Sequence, residues 1–261
     1  MGKPDFTIYG ATNPGIKRRN KANQDAIKIF QPTFFNHKPP MLALSDGMGG
    51  YGGGEIASEI AVTSMISNYQ NAKIQNNNYI SILDEGIKKA VDCVTARSKE
   101  EKSLELMGCT MAAAILTSQR VFITNVGDSR IYIISEDTIR QISFDHSLVA
   151  EQVRNGMITK AEARKSSQRN ILTLSISGRR ESIKPYLKEE PWNAGNYVLL
   201  CSDGLWGSVS DNQILTAVTE LDPQKACLKL IQMANINQGP DNISVIIARN
   251  EGKTSSDKKE N

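Results

Sequence analysis

Histidine is nearly absent. His37 and His146 are the only two in 261 residues, so a metal centre built from several imidazoles is excluded and any metal must be held mainly by oxygen. Cysteine is scarce and scattered. Cys93, Cys109, Cys201 and Cys227 form no C-x-x-C pair, and three of them lie in apolar-patterned segments, which points to buried free thiols rather than a disulfide framework or a zinc site. No apolar run approaches the roughly 18 residues of a membrane span. With 31 basic and 28 acidic residues the net charge is only +3, which by itself implies neither nucleic acid nor anionic lipid. The beginning of the chain lacks a charged-then-apolar secretory pattern, and Phe6 stands where a myristoylation signal has Ser or Thr. These absences lead to the expectation of a cytoplasmic protein with no membrane or nucleic-acid partner.

What is present is one continuous apolar pattern from residue 6 to residue 249, followed by the wholly polar stretch NEGKTSSDKKEN. A single domain over 1–249 and a disordered tail over 250–261 are therefore expected. Ile80, Leu83, Ile87, Ala90, Val91 and Val94 recur at helical spacing and predict a helix over 78–97; a weaker period predicts another over 55–68, with the Asn/Gln-rich residues 70–78 as the loop between them. Asp222 before Pro223 reads as an N-cap followed by proline at the first helical position, opening a helix that runs to about residue 234. β-Prone runs at 110–117, 120–126, 130–135 and 138–142, separated by short turn signals, predict an antiparallel meander, and 41–45, 197–202 and 243–248 are further apolar strands. Strands and helices cluster without strict alternation, which predicts α+β layers rather than a doubly wound parallel sheet. Residues 147–170 are polar, basic and helix-prone, and read as an inserted surface subdomain.

The chemistry lies at the strand ends. The apolar runs 41–45 and 198–202 each end in Ser-Asp-Gly, at Asp46 and Asp203; the run 122–126 leads into Gly127-Asp128, and Pro240-Asp241 precedes Ile243. Asp-Gly and Pro-Asp are ordinary turn formers. Four of them placed at strand ends, two within the same apolar-Ser-Asp-Gly phrase, bring carboxylates to the rim of a sheet. Converging carboxylates repel one another unless protonated or bridged by cations, and ligation by oxygen alone favours Mg²⁺ or Mn²⁺. Two such ions roughly 3.5–4 Å apart are a recurrent device for phosphate-ester hydrolysis. A competing pattern, Gly47-x-Gly49-x-x-Gly52, has the spacing of a dinucleotide-binding loop, but no second strand ending in Asp or Glu follows it.

Taken in order, Asn23-Gln24-Asp25, Leu44-Ser45-Asp46-Gly47-Met48-Gly49-Gly50, Asn125-Val126-Gly127-Asp128-Ser129-Arg130, Asp145-His146-Ser147, Cys201-Ser202-Asp203-Gly204-Leu205-Trp206 and Asp241-Asn242-Ile243-Ser244 resemble the metal-dependent serine/threonine protein phosphatases of the 2C type in their compact bacterial form. The resemblance implies a four-layer α-β-β-α sandwich, two antiparallel sheets flanked by helices, with residues 147–170 as a flap beside the active site. It implies Asp46 bridging two metals, Gly47 contributing its carbonyl oxygen, Asp203 and Asp241 as further ligands, Asp25 behind them orienting water, and Asp128 helping to hold a third, weaker ion. The family's phosphate-binding arginine falls at Asn20; a one-residue bulge would give the role to Arg19, with Arg18 beside it. Met48 stands where animal members have a histidine, so no general acid is assigned, and His146 reads as a structural histidine at the base of the flap. The implied activity is hydrolysis of phosphoserine and phosphothreonine in proteins, opposite a serine/threonine kinase. The alternatives are a metallohydrolase of a small phosphorylated molecule on the same fold, or a non-catalytic module that binds phosphoproteins.

Overall fold

Met41, Leu42, Ala43 and Leu44 are all fully buried, which a strand can achieve only if both of its faces are covered. In the computed structural model, which describes residues 5–33, 37–49, 53–179 and 182–252, the cover comes from a second sheet on one face and from helices on the other. One antiparallel sheet has the order β1 (Phe6–Asn13), β12 (Ile243–Asn250), β11 (Tyr197–Cys201), β7 (Arg130–Ile134) and β8 (Ile139–Gln141). The other has the order β10 (Tyr186–Pro191), β6 (Arg120–Val126), β5 (Met111–Leu116), β3 (Met41–Met48), β4 (Gly108–Cys109) and β9 (Ile176–Ser177), with β2 (Asp25–Phe30) also paired to β3.

Three apolar layers hold this stack together. Side chains alternate along a strand, so Leu42 and Leu44 of β3 meet Ile131, Val198, Leu200 and Ile246 between the sheets, whereas Met41 and Ala43 point outward. There they join Ala61, Met65, Leu83 and Ile87 of α1 (Gly53–Asn71) and α2 (Tyr79–Glu100). On the opposite outer face, Leu199, Val245 and Ile247 pack against Ile214, Val218, Cys227 and Leu230 of α6 (Asp211–Glu220) and α7 (Pro223–Ile236). The result is the expected α+β arrangement, a four-layer α-β-β-α sandwich. Each internal strand touches two apolar layers, which is why its sequence reads as an unbroken hydrophobic run.

Several elements extend or depart from the sequence expectation. The first two helices are longer than expected, and α7 begins as predicted: the Asp222 carboxylate accepts the Lys225 amide at 3.0 Å and Pro223 is the first helical residue. The expected meander is divided. β5 and β6 belong to one sheet and β7 and β8 to the other, because the chain changes sheets at Gly127, whose φ of +92° is a conformation only glycine adopts freely. β1, β2, β10 and α6 add to the expected elements, and Ser210 and Gln213 of α6 form a capping box that the sequence displays. The boundary at 249/250 is also displaced: Asn250 ends β12, is 1% exposed and donates from Nδ2 to the Ser118 carbonyl. The tail expected beyond it falls, from residue 253 on, outside the described residues. Three of the four cysteines are buried and all are free. Within the described residues no helix is long and apolar enough to cross a membrane.

Candidate active site

The carboxylates are brought together by pairing register and by close backbone contacts. Asp25 opens β2 directly opposite Asp46 near the end of β3. Asp46 is anchored through its backbone, its amide donating to Thr110 Oγ1 at 2.9 Å and its carbonyl accepting the Thr110 amide at 2.8 Å. Gly47 follows, and a Cβ there would lie 2.0 Å from the Gly54 carbonyl oxygen at the start of α1; only glycine lets the helix approach the strand so closely. Asp203 is the first residue of α5 (Asp203–Trp206), immediately after β11. Ser202 ties this segment to Asp25: its hydroxyl donates to Asp25 Oδ2 at 2.7 Å and accepts the Ser244 amide at 3.0 Å.

Asp241 lies just before β12, and its Oδ1 accepts the Asn242 amide at 2.8 Å. It also pairs with a guanidinium, and that guanidinium belongs to Arg18. Arg18 further donates to Asn242 Oδ1 and Gln24 Oε1, each at 3.3 Å. Arg19, the arginine first in line from the sequence, is exposed where the short helical turn Ile16–Arg18 ends. Of the two neighbouring arginines it is Arg18 that faces Asp241: a 3₁₀ turn of three residues per repeat points neighbours in different directions, and here it turns Arg18 inward. Asn242 had no assigned role, yet it organises this corner, accepting the Gln24 amide at 2.9 Å and donating to the Pro14 carbonyl at 3.0 Å.

Asp128 occupies the turn between β6 and β7 and is 5% exposed. Its carbonyl accepts the Trp206 indole N–H at 3.0 Å, and the Trp206 ring lies 3.8 Å beneath the Arg130 guanidinium. Arg130 in turn forks onto Asp145 Oδ2, with Nη2 at 2.8 Å and Nε at 3.0 Å. His146 is the structural histidine expected: its amide donates to the Gly127 carbonyl at 2.9 Å, with Nδ1 3.2 Å from the same oxygen, and burial lowers its affinity for a proton.

The electrostatics of this cluster are unbalanced. Burial, reinforced by Asp203 and Asp241, pushes the Asp25 carboxyl up to about 7 despite its serine hydrogen bonds. Asp46 is raised by burial and by repulsion from Asp25, Asp203, Asp128 and Asp241. Burial and then Asp241 raise Asp203 to about 6, and burial with repulsion from Asp203 and Asp145 raises Asp128. Asp25 Oδ1 and Asp203 Oδ1 are buried with no hydrogen-bond donor. Unpartnered carboxylate oxygens in such a place are costly unless a cation meets them. Among the described residues no three Asp, Glu, His or Cys side chains converge tightly enough to mark a metal site by position alone. It is the unmet charge on hard oxygen donors that fits a divalent cation such as Mg²⁺ or Mn²⁺.

A cleft of about 530 Å³ leads from Asp203 and Asp241 outward beneath the 147–170 segment. That segment folds as two short helices, α3 (Leu148–Arg154) and α4 (Lys160–Lys165), the second opened by a Thr159–Glu162 capping box. Arg164 of α4 lies 3.5 Å from Asp211 of α6, so the insert closes over the cleft.

Comparison with known proteins gives the family. Residues 15–232 match the family Protein phosphatase 2C, and the chain belongs to that family. It is 35% identical over 232 residues to the serine/threonine phosphatase stp of Listeria innocua, covering 86% of this chain and 89% of that protein. It is 32% identical over 208 residues to the serine/threonine protein phosphatase PstP of Mycobacterium tuberculosis. That match takes in 80% of this chain but only 40% of PstP, so the chain spans well under half the length of that relative. The crystal structure of the catalytic domain of PstP, in complex with two manganese ions, superposes with a TM-score of 0.82 at 28% identity, covering 94% of this chain and 97% of that one.

Proposed function

We propose that this protein is a metal-dependent phosphatase that hydrolyses phosphoserine and phosphothreonine in proteins, acting in the cytoplasm opposite a serine/threonine kinase. One observation carries the reading: Asp25, Asp46, Asp203 and Asp241 are gathered at one end of the two sheets, with Asp25 Oδ1 and Asp203 Oδ1 buried and unpartnered. Asp46, the Gly47 carbonyl, Asp203 and Asp241 would hold two Mg²⁺ or Mn²⁺ ions, and Asp128 a third, weaker one. When bound, such ions activate water and neutralise the oxygens of a phosphoryl group.

The remaining work falls to the chain's own groups. Asp25, fixed by Ser202, orients water from behind the cluster. Arg18 is placed to exchange Asp241 for a phosphate, since a guanidinium can clamp either bidentately. None of the described side chains is assigned the role of proton donor.

The test is turnover of p-nitrophenyl phosphate and of a phosphothreonine peptide in Mn²⁺, with and without chelator, beside Asp46→Asn. Turnover of both that is lost with chelator and in the variant is the expected result. Chelator-resistant activity would overturn the metal-dependent reading. Hydrolysis of small phosphoesters without any phosphopeptide would favour a metabolite phosphatase, and complete inertness a non-catalytic binding module.

A further inference from the structure

The charges lining the cleft do not cancel in place. Of its carboxylates, Asp145 is taken by Arg130, Asp211 faces Arg164, Asp241 is held by Arg18, and Asp203 belongs to the metal cluster. The cations on the flap side are not used up in the same way. Arg154 is held by the Asp145 carbonyl at 3.1 Å and the ring of Phe144. Lys160 and Arg169 both line the cleft and pair with none of the described carboxylates; Arg169 donates to the Arg164 carbonyl at 3.3 Å. Of the two flap glutamates, Glu162 is consumed by the capping box of α4. The flap therefore turns unmatched positive charge toward the path a substrate must take.

We infer that Lys160 and Arg169 form a docking wall for carboxylate side chains flanking the phosphorylated residue, so that the preferred substrates are phosphopeptides rich in Asp or Glu. This rests on the phosphatase reading and names its substrate class. Arg169, near the C-terminal end of the flap, lines the same cleft as Asp203 and Asp241. Lys160, the exposed first residue of α4, meets an acidic residue further from the phosphate. Exposed ion pairs are individually weak and screened by salt, so the wall selects among phosphopeptides without binding any of them tightly.

The experiment compares kcat/KM for three phosphothreonine peptides of one length, flanked on both sides by Glu, by Ala or by Lys, at low and high salt. The Glu peptide is expected to lead the Lys peptide by about three- to ten-fold at low salt, mainly through KM, with the gap closing at high salt. Lys160→Glu should bring the ratio near one or invert it. A carboxylate at the start of a helix is favourable, so this variant should fold. The ratio compares two substrates on one sample, so partial misfolding does not move it. Equal kcat/KM for all three peptides overturns the docking wall while leaving the phosphatase reading intact. An acidic preference that survives both Lys160→Glu and Arg169→Glu places the selection elsewhere and also overturns it. Hydrolysis of none of the peptides overturns both readings.

Discussion

The Trp206 indole is clasped from two sides: the Arg130 guanidinium lies 3.8 Å over its ring, while its N–H donates to the Asp128 carbonyl at 3.0 Å. Trp206 shares the single turn of α5 with Asp203. One side chain thus links two acidic residues of the cluster, Asp128 and Asp203, that come from different parts of the sequence. Trp206→Phe keeps the stack and loses the N–H. It should cost on the order of 1 kcal/mol in stability and raise the Mn²⁺ concentration needed for binding, read by calorimetric titration of the folded variant.

Arg130 and Asp145 are nearly buried, with side chains 15% and 9% exposed. Removing one partner strands the other charge. Arg130→Met is expected to destabilise the protein by about 3–5 kcal/mol, measured by urea denaturation. A loss below about 1 kcal/mol would show that Asp145 is not left stranded by the change.

Asp46→Asn and Asp203→Asn should each abolish phosphatase activity without harming the fold. Each removes a carboxylate that its neighbours repel, so the metal-free variants should melt at or above the wild-type temperature. The stabilisation by Mn²⁺ seen in wild type should shrink in both. Near-normal turnover by either variant would rule out the metal cluster as the catalytic centre.

The two arginines make a sharp comparison. Arg18→Ala is expected to lower kcat/KM by about ten-fold or more, as removal of a charged hydrogen bond to substrate does. Arg19→Ala, at an exposed position, should change it less than about two-fold. The reverse order would return the phosphate-binding role to Arg19.

Glu190 offers a pH test away from the site. Hydrogen bonds from Arg140 and Lys188 hold its carboxyl down to about 2 against burial. The unfolded chain takes up this proton near pH 4.5, so the stabilisation is fully present above that pH and is lost as pH falls toward 2. After allowance for the half-exposed Arg140, it is worth on the order of 1 kcal/mol. Glu190→Gln should therefore lower stability at pH 7 and flatten the acid limb of the stability profile between pH 5 and 2.

Much of this protein is written locally. The helical period of Ile80 to Val94, the Asp222-Pro223 helix start and the Ser-Asp-Gly strand ends at Asp46 and Asp203 are each properties of a few neighbouring residues, so the sequence by itself determined them, along with the histidine poverty that rules out a centre built from several imidazoles. Other features join residues far apart in the chain and were decided only by packing. Nothing in the composition of 110–142 says that Gly127 sends the meander into two sheets. Nothing in Lys17-Arg18-Arg19 says which guanidinium faces Asp241, because the answer depends on a contact 223 residues away. The same holds for the Trp206 clasp and for the unmatched charge of Lys160 and Arg169: periodicity shows which residues are buried, but only the folded chain decides which charges meet and which are left to bind something else.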